Sequence, residues 1–171
     1  MTEISIGLAD GDHDIEAVRT LCREWLDWHW DAYPDDWPTE GNPMDRGKFE
    51  VILDKLPNLH ARPRGGIVIA SVDGQPSGCV MYNEASSDMA EFNRMFVSET
   101  GRGHGVGRAM LEFMLNQMAA DGYRKVTFSS AKFLTHARAM YESAGFLPAL
   151  HPEGFPDEWR NYVYFMERSL D

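Results

Sequence analysis

The segment Val97-Ser98-Glu99-Thr100-Gly101-Arg102-Gly103-His104-Gly105-Val106-Gly107-Arg108 leads from a β-patterned stretch into a helical one through four glycines. Upstream, Ala90 to Val97 reads as a strand. Downstream, Val106, Met110, Phe113, Met114 and Met118 recur on one helix face, and the run ends near Gly122. A strand, a glycine turn and a helix in that order leave helical N–H groups free for phosphate oxygens. Glycine permits positive φ and keeps a Cβ out of the anion's way. Arg102 and Arg108 add positive charge at the same place.

The rest of the chain alternates strands and helices. Ile4, Ile6 and Leu8 alternate with other residues as a first strand, and Asp12 or Asp14 can cap a helix carrying Ile15, Val18, Cys22, Trp25 and His29. Between Trp28 and Gly47 the composition changes to Trp, Asp, Pro and Gly, and Pro34, Pro38 and Pro43 predict a loop there. A second helix is expected over Asp45 to Leu56, a strand over Ile67 to Val72, and a turn at Asp73-Gly74 into Cys79 to Tyr82. Lys125 to Ser130 reads as a strand, Thr135 to Ala144 as a helix stopped by Gly145, and Asn161 to Arg168 as the last strand. One further strand fits near Phe146 to Leu150. The order β-α-α-β-β-β-α-β-α-β implies an α/β (α+β) fold with a mixed sheet, because hairpins pair antiparallel and a β-α-β unit pairs parallel.

The chain has 171 residues, 43% hydrophobic and 25% charged, which fits one domain over residues 1–171. Lys plus Arg total 16 and Asp plus Glu 27, a net charge of −11. That balance argues against nucleic acid and anionic membrane as partners. Cys22 and Cys79 form no CxxC or zinc pattern, and the six histidines form no H-E-x-x-H, so no metal is expected. The opening residues lack the basic and apolar segments of a signal peptide, and no apolar run reaches the ~18–20 residues of a membrane span. A cytoplasmic protein is the expectation.

Three phosphate-binding patterns can be compared at the glycine turn. A P-loop needs Lys-Ser or Lys-Thr after the last glycine, and none is present. A dinucleotide fingerprint begun at Gly103 would place its last glycine at Arg108. The pattern [QR]-x-x-G-x-[GA] is met by Arg102, Gly105 and Gly107. With Ala90-Glu91 opening the preceding strand and Ala137-x-x-x-Tyr141-x-x-x-Gly145-Phe146 downstream, the sequence resembles the GNAT superfamily of acyl-CoA-dependent N-acyltransferases. The resemblance implies a mixed, mostly antiparallel sheet of about six or seven strands flanked by about four helices. It also implies acetyl-CoA as cosubstrate, its pyrophosphate held by Arg102, Gly103, His104, Gly105, Val106, Gly107 and Arg108. The sequence departs from the family at Leu134, where members often carry an asparagine that reaches the cofactor; Thr135 and His136 are the nearby substitutes.

Amide formation from an acyl thioester needs a neutral amine, a polarised carbonyl and a protonated leaving thiol. An alkylammonium with a pKa of ~10.4 must lose a proton before it attacks. The resemblance implies direct attack in a ternary complex. Glu91 falls where some members keep a glutamate base acting through water; a solvated strand glutamate is the alternative, and Glu84 and Asp88 are weaker substitutes. By the same resemblance, backbone N–H groups of Met95, Phe96 and Val97 would line a bulge, and one of them would bind the thioester oxygen. Tyr141 resembles the family's general acid, a phenol of pKa ~10 donating to a thiolate whose thiol resembles that of cysteine at ~8.5. Its alternative is an aromatic packed on a helix face. His29 reads as a packing residue.

Acceptor choice is expected in the Trp28–Gly47 loop and around His151 to Arg160. Tryptophan faces and carboxylates would suit an ammonium, although solvated acids and core-plugging tryptophans account for most of these residues. The expected partner is a small-molecule or peptide amine, and the chain a monomer or homodimer. The alternative function is a non-catalytic acyl-CoA-binding sensor.

Overall fold

The chain runs β1 (Ile4–Leu8), α1 (Gly11–Ala32), α2 (Arg46–Leu59), β2 (Gly66–Val72), β3 (Gln75–Ser86), β4 (Met89–Val97), α3 (Val106–Ala120), β5 (Lys125–Ala131), α4 (Thr135–Ser143), β6 (Leu147–Ala149) and β7 (Val163–Ser169). The structure is a computed structural model describing residues 1–171. All seven strands join one sheet in the order β1-β2-β3-β4-β5-β7-β6. Every neighbouring pair is antiparallel except β4 and β5. The expected order of elements is present, including the short strand after Phe146.

The sheet is covered on both faces, so its central strands are apolar in both directions. Met110, Leu111, Met114 and Met118 of α3 pack with Val68, Val80, Ala90 and Phe92 on one face, as does Tyr141 of α4. Val18, Cys22 and Leu26 of α1 join Phe49, Leu53 and Leu56 of α2 on the other, against Ile67, Cys79, Met81 and Phe96. Both cysteines are free and buried. No helix is long and apolar enough to cross a membrane.

Three local details depart from the sequence expectations. The cap of α1 is Asp10, and Asp14 reaches back to accept its N–H at 2.9 Å. The helix then continues to Ala32, four residues past Trp28, and stops at Tyr33, whose extended backbone is what a residue preceding proline adopts. Helix α2 also runs past Leu56, through Pro57. Pro57 has no N–H for the Leu53 carbonyl, and Arg19 Nε supplies the missing donor at 2.9 Å.

Two features of β4 open the sheet. Its parallel pairing with β5 spans only Met89 to Glu91, after which the strands part. Its pairing with β3 slips where Cys79 faces Phe96 and Met81 faces Asn93, a bulge with Arg94 at φ +54°. The bulge switches faces: Phe92 packs under α3, whereas Phe96 packs under α1 and α2.

Candidate active site

Two cavities fill the gap between β4 and β5. The first, of about 520 Å³, lies under α1, α2, the 33–44 loop and the 155–163 segment, and Phe92 to Met95, Phe128 to Ala131, Leu134, Ala137 and Tyr141 line it. The second, of about 710 Å³, runs along Met95 to Val97 and Leu134 to Ala137 towards Arg102. Trp25, Met95, Leu134 and Ala137 belong to both walls. The cleft therefore has two compartments that meet beside the bulge.

The glycine turn lies beyond the second compartment. Gly105, at φ +75°, is the N-cap of α3 and supplies no side-chain cap. Gly103 also has positive φ, at +80°. The backbone N–H groups from Gly103 through Arg108 find no acceptor within the protein. Such a row of unpaired donors at a helix N-terminus is a nest for an anion. The turn is tied to β3 by Ser98, whose N–H and hydroxyl both donate to the Ser77 carbonyl, at 2.9 and 3.1 Å. A Cβ on Gly101 would sit 2.9 Å from that same carbonyl oxygen, so only glycine fits there.

The two arginines of the turn differ. Arg102 lines the second cavity. Arg108 is drawn onto α4, donating to Ser143 Oγ at 2.8 Å. Leu134 lines both cavities, at the N-terminus of α4, where it offers no side-chain cap. Thr135 and His136 line the second beside it.

Tyr141 packs among Phe92, Phe128 and Phe146, with the Phe128 ring centroid at 4.3 Å. Burial, reinforced by nearby Tyr164, holds its phenol well above the ordinary tyrosine range. Its hydroxyl has no hydrogen-bond partner in the protein. It lines the first cavity as a protonated donor with a free hand.

Glu91 lies on neither cavity wall. It pairs with Thr127 of β5 just before the strands part, and its carboxylate accepts from Asn93 Nδ2 at 3.4 Å. Asn93 does line the first cavity. Glu84 is occupied by Arg64 at 2.7 Å, and Asp88 is exposed.

The aromatic segment divides cleanly. Tyr33 and Trp37 reach the first cavity, with Phe155, Trp159 and Tyr162 opposite them. The Trp37 and Tyr162 rings meet edge to face, with centroids 4.8 Å apart. The acids are solvated, as expected for most of them: Asp27, Asp31, Asp35 and Asp36 are exposed, and no Asp or Glu lines the first cavity. Each acid keeps its hydration, Asp27 and Asp31 on the exposed side of α1 and Asp35 and Asp36 on the loop, far cheaper places than an apolar wall. His151 turns to the Val163 carbonyl at 2.8 Å and off the wall. His29 is buried among Trp25, Trp30, Tyr33 and Phe133, with both ring nitrogens unpartnered, and burial lowers its pKa to about 4.

Arg94, which the sequence reading passed over, faces this cavity. Its Nη2 donates to His60 Nε2 at 2.8 Å and to Asn93 Oδ1 at 3.3 Å, and its Nε contacts Met81 Sδ at 3.2 Å. The other nitrogen of His60, Nδ1, meets the Tyr82 carbonyl at 2.9 Å and must carry the proton, which leaves Nε2 as acceptor. The available signal was one arginine within the apolar run Phe92-Asn93-Arg94-Met95-Phe96.

A splayed sheet with an anion nest at one end of a two-compartment cleft is the arrangement of an acyltransferase that draws on acetyl-CoA. A model of the acetyltransferase (GNAT) family matches residues 22–146, and the chain belongs to that family. Among solved structures, it is similar to a GNAT-family acetyltransferase of Staphylococcus aureus Mu50, at 14% identity and TM-score 0.75, covering 99% of this chain and 100% of that one. It is similar to the PaiA N-acetyltransferase of Thermoplasma acidophilum in complex with coenzyme A, at 14% and 0.70, covering 98% and 99%. It is also similar to the ribosomal-protein-S18-alanine N-acetyltransferase of Escherichia coli, at 16% and 0.65, covering 100% and 95%. No curated protein matches it in sequence.

The residues present fit acetyl-CoA. The Gly103–Arg108 nest suits a pyrophosphate, Arg102 adds charge beside it, and the second cavity leads from there to β4. No group of three or more His, Cys, Asp or Glu side chains is placed to hold a metal.

Proposed function

We propose that residues 1–171 form one N-acetyltransferase domain that moves an acetyl group from acetyl-CoA to a primary amine by direct attack. The observation that carries this reading is the meeting of the two cavities at Met95, Leu134 and Ala137. It gives an acceptor and a cosubstrate separate walls and one point of contact. Direct transfer needs that geometry, because both reactants must be held together at the reacting atoms. When bound, acetyl-CoA supplies an acyl thioester whose carbonyl carbon an amine can attack.

The chain's own groups then take three roles. One backbone N–H among Met95 to Val97, on the edge of β4 that β5 has left, donates to the thioester oxygen. Glu91 receives the amine's surplus proton through water alongside Asn93. As the new C–N bond forms and the C–S bond breaks, Tyr141 gives its proton to the departing sulfur. The raised phenol is no obstacle, since the same apolar surroundings raise the thiol that accepts the proton.

A thiol-release assay with acetyl-CoA and a broad amine panel tests the reading. Release that depends on an added amine supports it. Tight acetyl-CoA binding with no release across the panel would favour the sensor.

A further inference from the structure

We propose that the acceptor is an amino acid with a large apolar or aromatic side chain, and that Arg94 binds its carboxylate. The inference rests on the reading of the first cavity as the acceptor compartment. Its starting point is a charge imbalance. Arg94 is the one Lys or Arg on the wall of that cavity, and no Asp or Glu accompanies it there. No carboxylate stands within ion-pair distance of its guanidinium. All its hydrogen-bond partners are neutral: the His60 imidazole, the Asn93 amide and the Met81 thioether.

A guanidinium drawn out of water and given only neutral partners is an incomplete arrangement, because its desolvation is offset best by an anion. Burial lowers the Arg94 pKa, so the surroundings do tax the charge. Nη1 has no acceptor in the protein, which leaves both its N–H groups for an incoming oxygen. Glu91, on the same strand, eases the charge only from a distance, because its carboxylate is turned to Asn93 and makes no ion pair with the guanidinium. The backbone holds the arginine in place at a cost, since φ of +54° is unfavourable for any residue with a Cβ. The side chain is thus fixed by His60 and the bulge with its charge facing the cavity.

The remaining wall describes the rest of the ligand. Tyr33, Trp37, Phe155, Trp159 and Tyr162 offer ring surface and no countercharge for an ammonium. A plain amine would find ring faces but no countercharge. A zwitterion brings its own, and its carboxylate meets Arg94. A volume of about 520 Å³ suits a single amino acid with an apolar side chain.

The test compares ligands that differ only in the carboxylate. N-acetylphenylalanine, N-acetylphenylalanine amide and N-acetylphenethylamine are titrated against the protein saturated with coenzyme A, following tryptophan fluorescence. The carboxylate-bearing ligand is expected to bind at least about tenfold tighter than either neutral one. That preference should vanish in Arg94→Met and survive in part in Arg94→Lys. Equal or reversed binding by the unsubstituted protein would overturn the proposal, whether or not Arg94→Met folds. Thiol release is measured in parallel with phenylalanine, leucine and tryptophan against their decarboxylated amines. Release with the amines alone sinks this inference and leaves the transferase reading standing. A carboxylate preference in binding with no release from any amine does the reverse.

Discussion

Arg62 and Asp121 form a two-pronged ion pair, Nη1 to Oδ2 at 2.5 Å and Nη2 to Oδ1 at 2.6 Å, at the C-terminal end of α3. An acid there opposes the helix dipole, so it needs other support. Burial alone would raise the Asp121 carboxyl. Hydrogen bonds from Arg62, Tyr82 and Gln117 outweigh it and hold the group below its usual range. Because its folded-state pKa is depressed, the stabilisation is present above the unfolded value and is lost as pH falls through the folded one. Asp121→Asn is expected to cost about 2 kcal/mol at pH 7, less than a fully buried pair would, since Arg62 is 43% exposed. Urea titrations should show the gap closing below about pH 4.

The two buried histidines add an acid sensitivity of the same sign, at a higher pH. Burial lowers both His29 and His60 to about 4, and for His60 the bond to the Tyr82 carbonyl only partly opposes it. Between pH 6.5 and 4 the unfolded chain binds protons that the folded chain refuses, so stability falls as pH drops through that window. Each site contributes roughly 3 kcal/mol across it. His29→Leu should flatten the slope of urea midpoint against pH there. An unchanged slope would mean that His29 is not buried as a neutral ring.

Gly105→Glu tests the anion nest. A side chain at φ +75° costs about 1–2 kcal/mol, and the carboxylate repels a phosphate where the backbone donors converge. Acetyl-CoA affinity by calorimetry should fall at least about tenfold. Unaltered affinity would move the cofactor away from this turn.

Tyr141→Phe separates chemistry from architecture. The hydroxyl has no partner in the protein, so its removal should barely change thermal stability or acetyl-CoA affinity. Amine-dependent thiol release should drop about 100-fold. A loss of stability with full turnover would make Tyr141 a packing residue after all.

Much of the fold was legible because periodicity and punctuation agreed. Met110, Met114 and Met118 mark a buried helix face, and Gly101 to Gly107 mark the turn before it. The glycine nest was legible for the same reason, since it depends on local backbone geometry. The acceptor side was not. Whether Asp35 or Trp37 faces the cavity depends on how the 33–44 loop folds over α1, which no local pattern encodes. Arg94 was hidden by the bulge: strict alternation would send it to the side of Ala90 and Phe92, and the extra residue turns it to the other. Pro57 misled in a simpler way, because the donor that lets α2 continue comes from Arg19, far away in sequence.

The wall shared by the two compartments makes their occupants speak to each other. Trp25, Met95, Leu134 and Ala137 cannot rearrange for one ligand without changing what the other meets. Whatever factor acetyl-CoA applies to the acceptor's dissociation constant, the acceptor must return to acetyl-CoA in equal measure. A single pair of titrations, each ligand with and without the other, therefore reads the coupling free energy between the two compartments.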